Sequence, residues 1–379
     1  MVRLGDIATV VTGSTPKTSV EEYWNGTNCW ITPAELSDKV IVVHDTERKV
    51  TDLAISDTSL KPLPIGTVLL SSRAPIGKVA ITGCVMYCNQ GFKNLVCGER
   101  IYNKYLFWFL RGRTEYLNSL GRGVTFKEIS KTIVEGIRIP LPPFDIQKHI
   151  ADTLDKTQEI IDGHKKQLAE LDNLIKSFFY EMFGDPVTNE KHWDQKKLSM
   201  LSSLVSGGTP SREFPEYFNG DIPWITTVAL GKLFISDEDA VEYITEDAVE
   251  NSATKKIPPG SVLFGVRVGV GKVAINLVEM CTNQDVVAIT DIDKRLNNIF
   301  LMETLKKYSR LYSSQQRGAT IKGITSKILQ DTLIPIPPFD LQNKFADIVT
   351  KIEEQKILVK QAITESEHLF NSLMSEYFD

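Results

Sequence analysis

Pro140-Leu141-Pro142-Pro143-Phe144-Asp145-Ile146-Gln147 returns 195 residues further on as Pro335-Ile336-Pro337-Pro338-Phe339-Asp340-Leu341-Gln342. Adjacent prolines cannot lie inside a helix and hold the residue before them extended, so each copy marks a stiff joint between two kinds of structure. Asp145 and Asp340 stand where a helix N-cap is expected. Behind the first joint, Ile150, Leu154, Thr157, Ile161, His164, Leu168, Leu171, Ile175, Phe178 and Met182 follow a 4-3-4-3 spacing, a heptad seam. Behind the second, Phe345, Val349, Ile352, Lys356, Val359, Ile363, Ser366, Phe370, Leu373 and Tyr377 repeat it in weaker form. A rod of about 37 residues at 1.5 Å each is roughly 55 Å long.

The joint is one part of a repeat that organises the whole chain. Gly13-Ser14-Thr15-Pro16 recurs as Gly207-Gly208-Thr209-Pro210, Tyr23-Trp24-Asn25-Gly26 as Tyr217-Phe218-Asn219-Gly220, and Trp30-Ile31-Thr32 as Trp224-Ile225-Thr226. The offset of 194 holds through Arg73 and Arg267, through Gly77-Lys78-Val79-Ala80-Ile81 and Gly271-Lys272-Val273-Ala274-Ile275, and through Asn89-Gln90 and Asn283-Gln284. It becomes 195 from Arg122 and Arg317 onward, so one residue is inserted between. A period this long means a duplicated domain, not a solenoid.

Ahead of each joint the sequence carries short β-type runs such as Thr67-Val68-Leu69-Leu70, punctuated by Gly, Pro and Asn, with a helix expected over Lys104 to Leu110. The expected organisation is a globule at 1–144, a helical spacer at 145–185, a second globule at 186–339 and a second spacer at 340–379. The fold class is α+β: two homologous mixed α/β globules separated by a pair of long helices that fold back antiparallel as a coiled coil, with an internal pseudo-two-fold repeat.

Composition sets the outer bounds. With 379 residues, 42% hydrophobic and 24% charged, the chain is neither disordered nor collagen-like. No apolar run approaches the ~18 residues of a membrane span, and Met1-Val2-Arg3-Leu4-Gly5-Asp6 does not read as a secretory signal, so a cytoplasmic protein without a membrane partner is expected. Five cysteines, with no histidine at metal-ligand spacing from Cys84, Cys88 or Cys97, read as reduced thiols, and no metal is expected.

Several fragments invite an enzymatic reading and fail it. Leu141-Pro142-Pro143-Phe144 has the outline of an aminomethyltransferase tetrapeptide, but leucine cannot accept a hydrogen bond from an amino group. Gly265 to Lys272 lacks Walker spacing, with Val266 and Val273 where Gly and Ser or Thr are needed, and reads as a β-hairpin turn. His44, His149, His164, His192 and His368 form neither a triad nor a zinc pattern. No catalytic constellation remains.

A net charge of −5 argues against a polyanionic partner until it is divided. The four segments carry +4, −4, −1 and −4 in chain order, and seven acids of the second globule (Asp237, Glu238, Asp239, Glu242, Glu246, Asp247, Glu250) lie in one stretch. Without that stretch the second globule would stand at +6, so both globules can present a basic face. The candidates for it are Thr15, Lys17, Tyr23, Trp30, Thr32, Arg73, Lys78, Asn89, Gln90, Lys93, Arg122, Thr125 and Lys127. Their counterparts are Thr209, Arg212, Tyr217, Trp224, Thr226, Arg267, Lys272, Asn283, Gln284, Arg317, Thr320 and Lys322. Arg, Asn and Gln can read base edges bidentately, while Lys, Thr and backbone amides suit phosphates.

The duplicated globule, the joint Pro-Leu/Ile-Pro-Pro-Phe-Asp-x-Gln with its heptad helix, the Arg-x-x-x-Gly-Lys-Val-Ala-Ile run and the threonine turn before the prolines together resemble the specificity (S) subunit of type I restriction-modification enzymes, over essentially all 379 residues. The resemblance implies two target recognition domains, each reading one half of a split, asymmetric sequence in double-stranded DNA, with the helices as a ruler. It also implies two modification (methyltransferase) subunits that carry S-adenosylmethionine, restriction subunits that translocate and cleave, and a chain with no catalysis and no cofactor of its own. Two other readings stay open on the residues alone: the recognition subunit of a related methyltransferase-nuclease of another type, and a coiled-coil scaffold that binds protein.

Overall fold

A computed structural model describes all residues except 38, 39, 74, 123–126 and 316–322. The chain divides into two compact units, residues 1–165 with 362–379 and residues 166–361.

In the first unit, strands β1 (Ala8–Thr12), β2 (Trp24–Ile31), β3 (Val42–Val43), β4 (Arg48–Val50), β5 (Val68–Leu70), β6 (Val79–Thr82), β7 (Met86–Cys88) and β8 (Lys93–Cys97) form two sheets. The larger has the order β1-β8-β5-β6-β3 and the smaller β4-β2-β7. All pairings are antiparallel except β3 with β6 and β2 with β7. Period-two alternation divides the larger sheet's side chains between two cores. Val68, Leu70, Val79, Ile81 and Leu95 face one core, and Leu69 and Ala80 face another, shared with Ile31, Met86 and Phe92. Helix α1 (Asn103–Arg111) has Tyr105 to Leu110 buried without interruption, as expected of a helix covered on every side.

The second unit repeats this plan with β9 (Ser203–Ser206), β10 (Ile222–Ile225), β11 (Phe234–Ile235), β12 (Glu242–Ile244), β13 (Lys256–Ile257), β14 (Val262–Gly265), β15 (Val273–Asn276), β16 (Met280–Thr282) and β17 (Val286–Thr290). Its sheets run β9-β17-β14-β15-β11 and β12-β10-β16-β13, with parallel pairs again at the matching places, β11 with β15 and β10 with β16. The Gly265 to Lys272 segment joins antiparallel β14 and β15, closed by the Gly265 N–H donating to the Lys272 carbonyl at 2.9 Å.

Two further helices, α2 (Phe144–Phe183) and α4 (Phe339–Phe378), are forty residues each, with α3 (Asn298–Gln315) between them in sequence. In the first unit the start of α2 meets the end of α4, where Lys165 pairs with Glu367 at 2.7 Å. In the second the end of α2 meets the start of α4, where Lys356 pairs with Asp172 at 2.7 Å. Each unit's main core takes side chains from both long helices: Ile150, Leu154, Phe370 and Phe378 in the first, Phe179, Phe183, Phe345 and Val349 in the second.

Two details differ from the sequence reading. Both helices begin at the phenylalanine, so Asp145 and Asp340 lie inside the first turn, where a carboxylate meets the positive end of the helix dipole, and neither is the cap. The seam also drifts: Phe179 and Phe183 are the deeply buried residues near the end of α2, with Phe178 and Met182 only partly covered. A straight helix falls behind a 3.5-residue repeat, and here the end of α2 packs on the globule's core as well as on α4, whose Phe345 ring meets those of Phe179 and Phe183 at 5.6 and 5.3 Å.

The glutamine that closes each joint motif explains why it recurs. Gln147 is 1% exposed; its Oε1 accepts from the Tyr102 N–H at 2.8 Å and its Nε2 donates to the carbonyls of Arg100 at 3.0 Å and Pro142 at 2.9 Å. Gln342, fully buried, makes the same three bonds with Asn297, Arg295 and Pro337, each at 2.8 Å. Each glutamine thus fastens a long helix to its globule by satisfying three backbone groups that would otherwise be buried without partners.

Candidate nucleic-acid interface

The loop after β1 and the turn before β8 approach each other so closely that glycine is required. A Cβ on Gly13 would stand 2.2 Å from the Asn89 carbonyl oxygen, and one on Gly207 would stand 2.1 Å from that of Asn283. This contact brings Thr15 to Gln90 and Thr209 to Gln284. In both globules the exposed threonine hydroxyl donates to the exposed glutamine's Oε1, leaving the amide hydrogens of Gln90 and Gln284 for another acceptor. Asn89 and Asn283 hold the turn, their Oδ1 atoms accepting from the Gly91 N–H at 2.9 Å and the Asp285 N–H at 3.2 Å.

Beneath the loop lies an aromatic pair. Trp30 is 1% exposed and donates its indole N–H to the Ser14 carbonyl at 3.2 Å; Trp224 is 4% exposed and donates to that of Gly208 at 3.0 Å. These tryptophans are therefore floor, not surface: burial of a large ring with its one donor satisfied gives them a packing role. Trp24 stands edge-on to Trp30 at 5.1 Å and Phe218 edge-on to Trp224 at 6.1 Å. Tyr23 and Tyr217 are half-buried against the same clusters.

The other candidates divide by burial and partner. Lys17 is exposed, and its carbonyl accepts from Trp24 Nε1 at 3.3 Å. Thr32 caps a short 3₁₀ turn, with Glu35 Oε1 accepting from its N–H at 2.8 Å; Thr226, half-buried, has Ala229 in the glutamate's place. Lys78 donates to the Leu36 carbonyl at 2.7 Å and the Pro33 carbonyl at 3.3 Å, whereas Lys272 is exposed. Lys93 is a second correction to the surface set: at 6% exposure it pairs with Glu128 at 2.9 Å and donates to Ser72 Oγ at 3.2 Å, so its ammonium is used inside the protein. Arg73 and Arg122 both bridge the Glu128 backbone, which places half-buried Arg73 beside exposed Arg122 and Lys127. Arg267 is exposed. Thr125, Arg317, Thr320 and Lys322 lie outside the described residues.

The seven-acid stretch is not a free negative loop. Asp239 pairs with Lys232, Glu246 with Lys256 at 2.5 Å, and Glu242 with Arg212 through two bonds of 2.6 and 2.8 Å. The Arg212 guanidinium holds the Glu242 carboxyl below the usual glutamate range through that hydrogen bond. Removing the stretch would release cations as well as acids, so the +6 of the sequence reading overstates the second globule's available charge.

Four residues of this surface are not among the sequence candidates for it: Trp24, Phe218, Arg48 and Glu242. The first two could have been found, because aromatic character persists at the position after Tyr23 and Tyr217. Arg48 and Glu242 occupy matching positions with opposite charge, and a search for likeness between repeats passes over them.

Comparison with known proteins accords with this duplicated architecture. The family model described as type I restriction modification DNA specificity domain matches twice, at residues 1–173 and 190–367. The chain is 30% identical to the type I restriction enzyme MjaIX specificity subunit of Methanocaldococcus jannaschii, over 94% of this chain and 87% of that one. It is also 30% identical to the EcoR124I/EcoR124II specificity subunit of Escherichia coli, over 57% of this chain and 55% of the relative. In fold it resembles the type I restriction-modification S subunit from M. genitalium, with a TM-score of 0.61 at 14% identity, covering 100% of this chain and 95% of that one. A chain from a structural study of complex assembly and conformational transition in the type I R-M system gives 0.64 at 18% identity, covering 99% and 96%. Both halves of the repeat thus carry the same domain, and the chain belongs to the type I restriction-modification DNA specificity family.

Proposed function

We propose that the chain is the sequence-specific DNA-recognition subunit of a type I restriction-modification complex. Residues 1–144 and 186–339 act as target recognition domains, each reading one half of a bipartite, asymmetric double-stranded target. Residues 145–185 and 340–379 act as the spacers that set the gap between half-sites and dock two modification subunits. Methyl transfer from S-adenosylmethionine belongs to those subunits, cleavage and translocation to restriction subunits, and the chain works in the cytoplasm without a catalytic centre or cofactor of its own.

The observation that carries this reading is the loop surface built twice on one framework with different charges. Thr15 with Gln90 and Thr209 with Gln284 are the same device, while Arg48 stands where the repeat places Glu242, and Thr18 where it places Arg212. One duplicated scaffold with two unlike surfaces suits two unlike half-sites. The surface supplies the needed chemistry: amide and guanidinium donors for base edges, lysines and threonines for phosphates.

The test is a methylome mapped at single-molecule level in a host with and without this chain. A split motif methylated only in its presence is expected, together with salt-dependent DNA binding by the purified complex. Methyl transfer by the chain alone, or an unchanged methylome, would overturn the proposal.

A further inference from the structure

In each globule an arginine stacks on the aromatic pair, but the two arginines come from different places in the repeat. In the first, the Arg48 guanidinium lies 3.8 Å from the Trp24 ring centre and 5.1 Å from that of Trp30. In the second, Arg212 lies 4.1 Å from Phe218 and 5.7 Å from Trp224. The rings match at the offset of 194; the cations do not. Arg48 is on β4, where the repeat places Glu242, and Arg212 follows β9, where the repeat places Thr18. Arg48 is exposed and has no ion pair among the described residues; Arg212, also exposed, is gripped by Glu242 through both Nη atoms.

The rings tie this cation to the loop beside it. Trp24 and Trp30 donate to the carbonyls of Lys17 and Ser14, which flank Thr15, and Trp224 donates to that of Gly208, which precedes Thr209. Each guanidinium therefore rests on the same rings that hold the loop carrying the threonine of the threonine-glutamine pair. That pair is identical in the two and cannot tell one half-site from another. The arginine differs in origin, in freedom and in charge environment, and it rests on the rings that hold this loop.

We infer that these stacked arginines are specificity-determining contacts, each reading a guanine in its own half-site, Arg48 alone in the first globule and Arg212 oriented by Glu242 in the second. Stacking holds the guanidinium plane while leaving its edge free, and that edge matches the O6 and N7 acceptors of guanine in the major groove. In Arg212 the Nη atoms still carry one hydrogen each beyond those given to Glu242, and Nε carries another, so a second fork remains. The inference rests on the DNA-recognition reading and names the residues that make its two halves unlike.

The experiment uses the full chain in complex with its modification subunits and a randomised duplex library, sequenced for methylation. For Arg48→Ala the expected result is a preference for guanine relaxed by roughly tenfold or more at one position of one half-site, the other half unchanged. Arg212→Ala should relax one position in the opposite half, and Glu242→Gln should weaken the same position by less. The half-site left unchanged in each variant serves as the control for folding. A uniform loss across all sequences with a shallower salt dependence would make these phosphate contacts and overturn the inference, as would unaltered preference at both halves. A wild-type complex that methylates no split sequence would instead remove the recognition reading itself.

Discussion

The two globules solve the same structural problem with the same residues and differ where charge meets the loop surface. Shared are the glycines that admit no Cβ, the tryptophan N–H bonds to the loop, the threonine-glutamine pair and the glutamine that fastens each long helix. Unshared are Lys93 with Glu128 against Val287 and Gly323, and Arg48 against Glu242. Backbone geometry has little tolerance: a Cβ at 2.1 Å from an oxygen must move something. An exposed side chain has much more, so a duplicated domain can keep its frame and change what it presents.

The strongest test of that likeness is at the joint. Gln147→Ala and Gln342→Ala should each destabilise the unit concerned by about 3 kcal/mol, because each leaves three buried backbone groups without a partner. Urea unfolding of the two variants should give equal losses, and a clear inequality would break the equivalence of the two joints.

Next comes a difference. Glu128→Ala should cost about 1 to 2 kcal/mol by leaving the buried Lys93 ammonium with Ser72 as its remaining side-chain partner, discounted because Glu128 is partly exposed. Replacing both, Lys93→Val with Glu128→Gly, copies the second globule and should cost less than the single change. A double variant less stable than Glu128→Ala would show that the pair is needed by its surroundings and not merely exchangeable with the apolar solution.

The smallest effect is one of pH. The Glu242 carboxyl titrates below its ordinary value because Arg212 donates to it, so the contact is complete above about pH 4.5 and is lost as pH falls through the lowered value. Arg48 has no carboxylate partner among the described residues. Side-chain NMR between pH 6 and 3.5 should therefore show the Arg212 Nε–H signal moving while that of Arg48 stays. Movement of both together would erase the distinction between a held and a free arginine.

Much of this molecule is legible in one dimension. The repeat, the joints, the long helices and the threonine-glutamine positions all follow from self-comparison, since duplicated segments that keep spacing keep fold. The same method passes over Arg48 and Glu242, because the two matching positions differ in charge, and it puts Trp30, Trp224 and Lys93 at the surface because residue type does not state depth. Asp145 and Asp340 lie two residues past the true cap positions, 143 and 338, for a related reason: a cap is a backbone conformation, and a proline pair followed by phenylalanine already starts the turn.

The sequence alone determined that two copies of one domain are joined by stiff proline hinges to heptad helices, because periodicity and the geometry of proline act locally. Only the tertiary structure decided which polar groups reach the surface, which cation rests on which ring and which acids are already paired. Those choices depend on segments many residues apart meeting in space, where a few ångströms of depth separate a buried ion pair from a group free to read DNA.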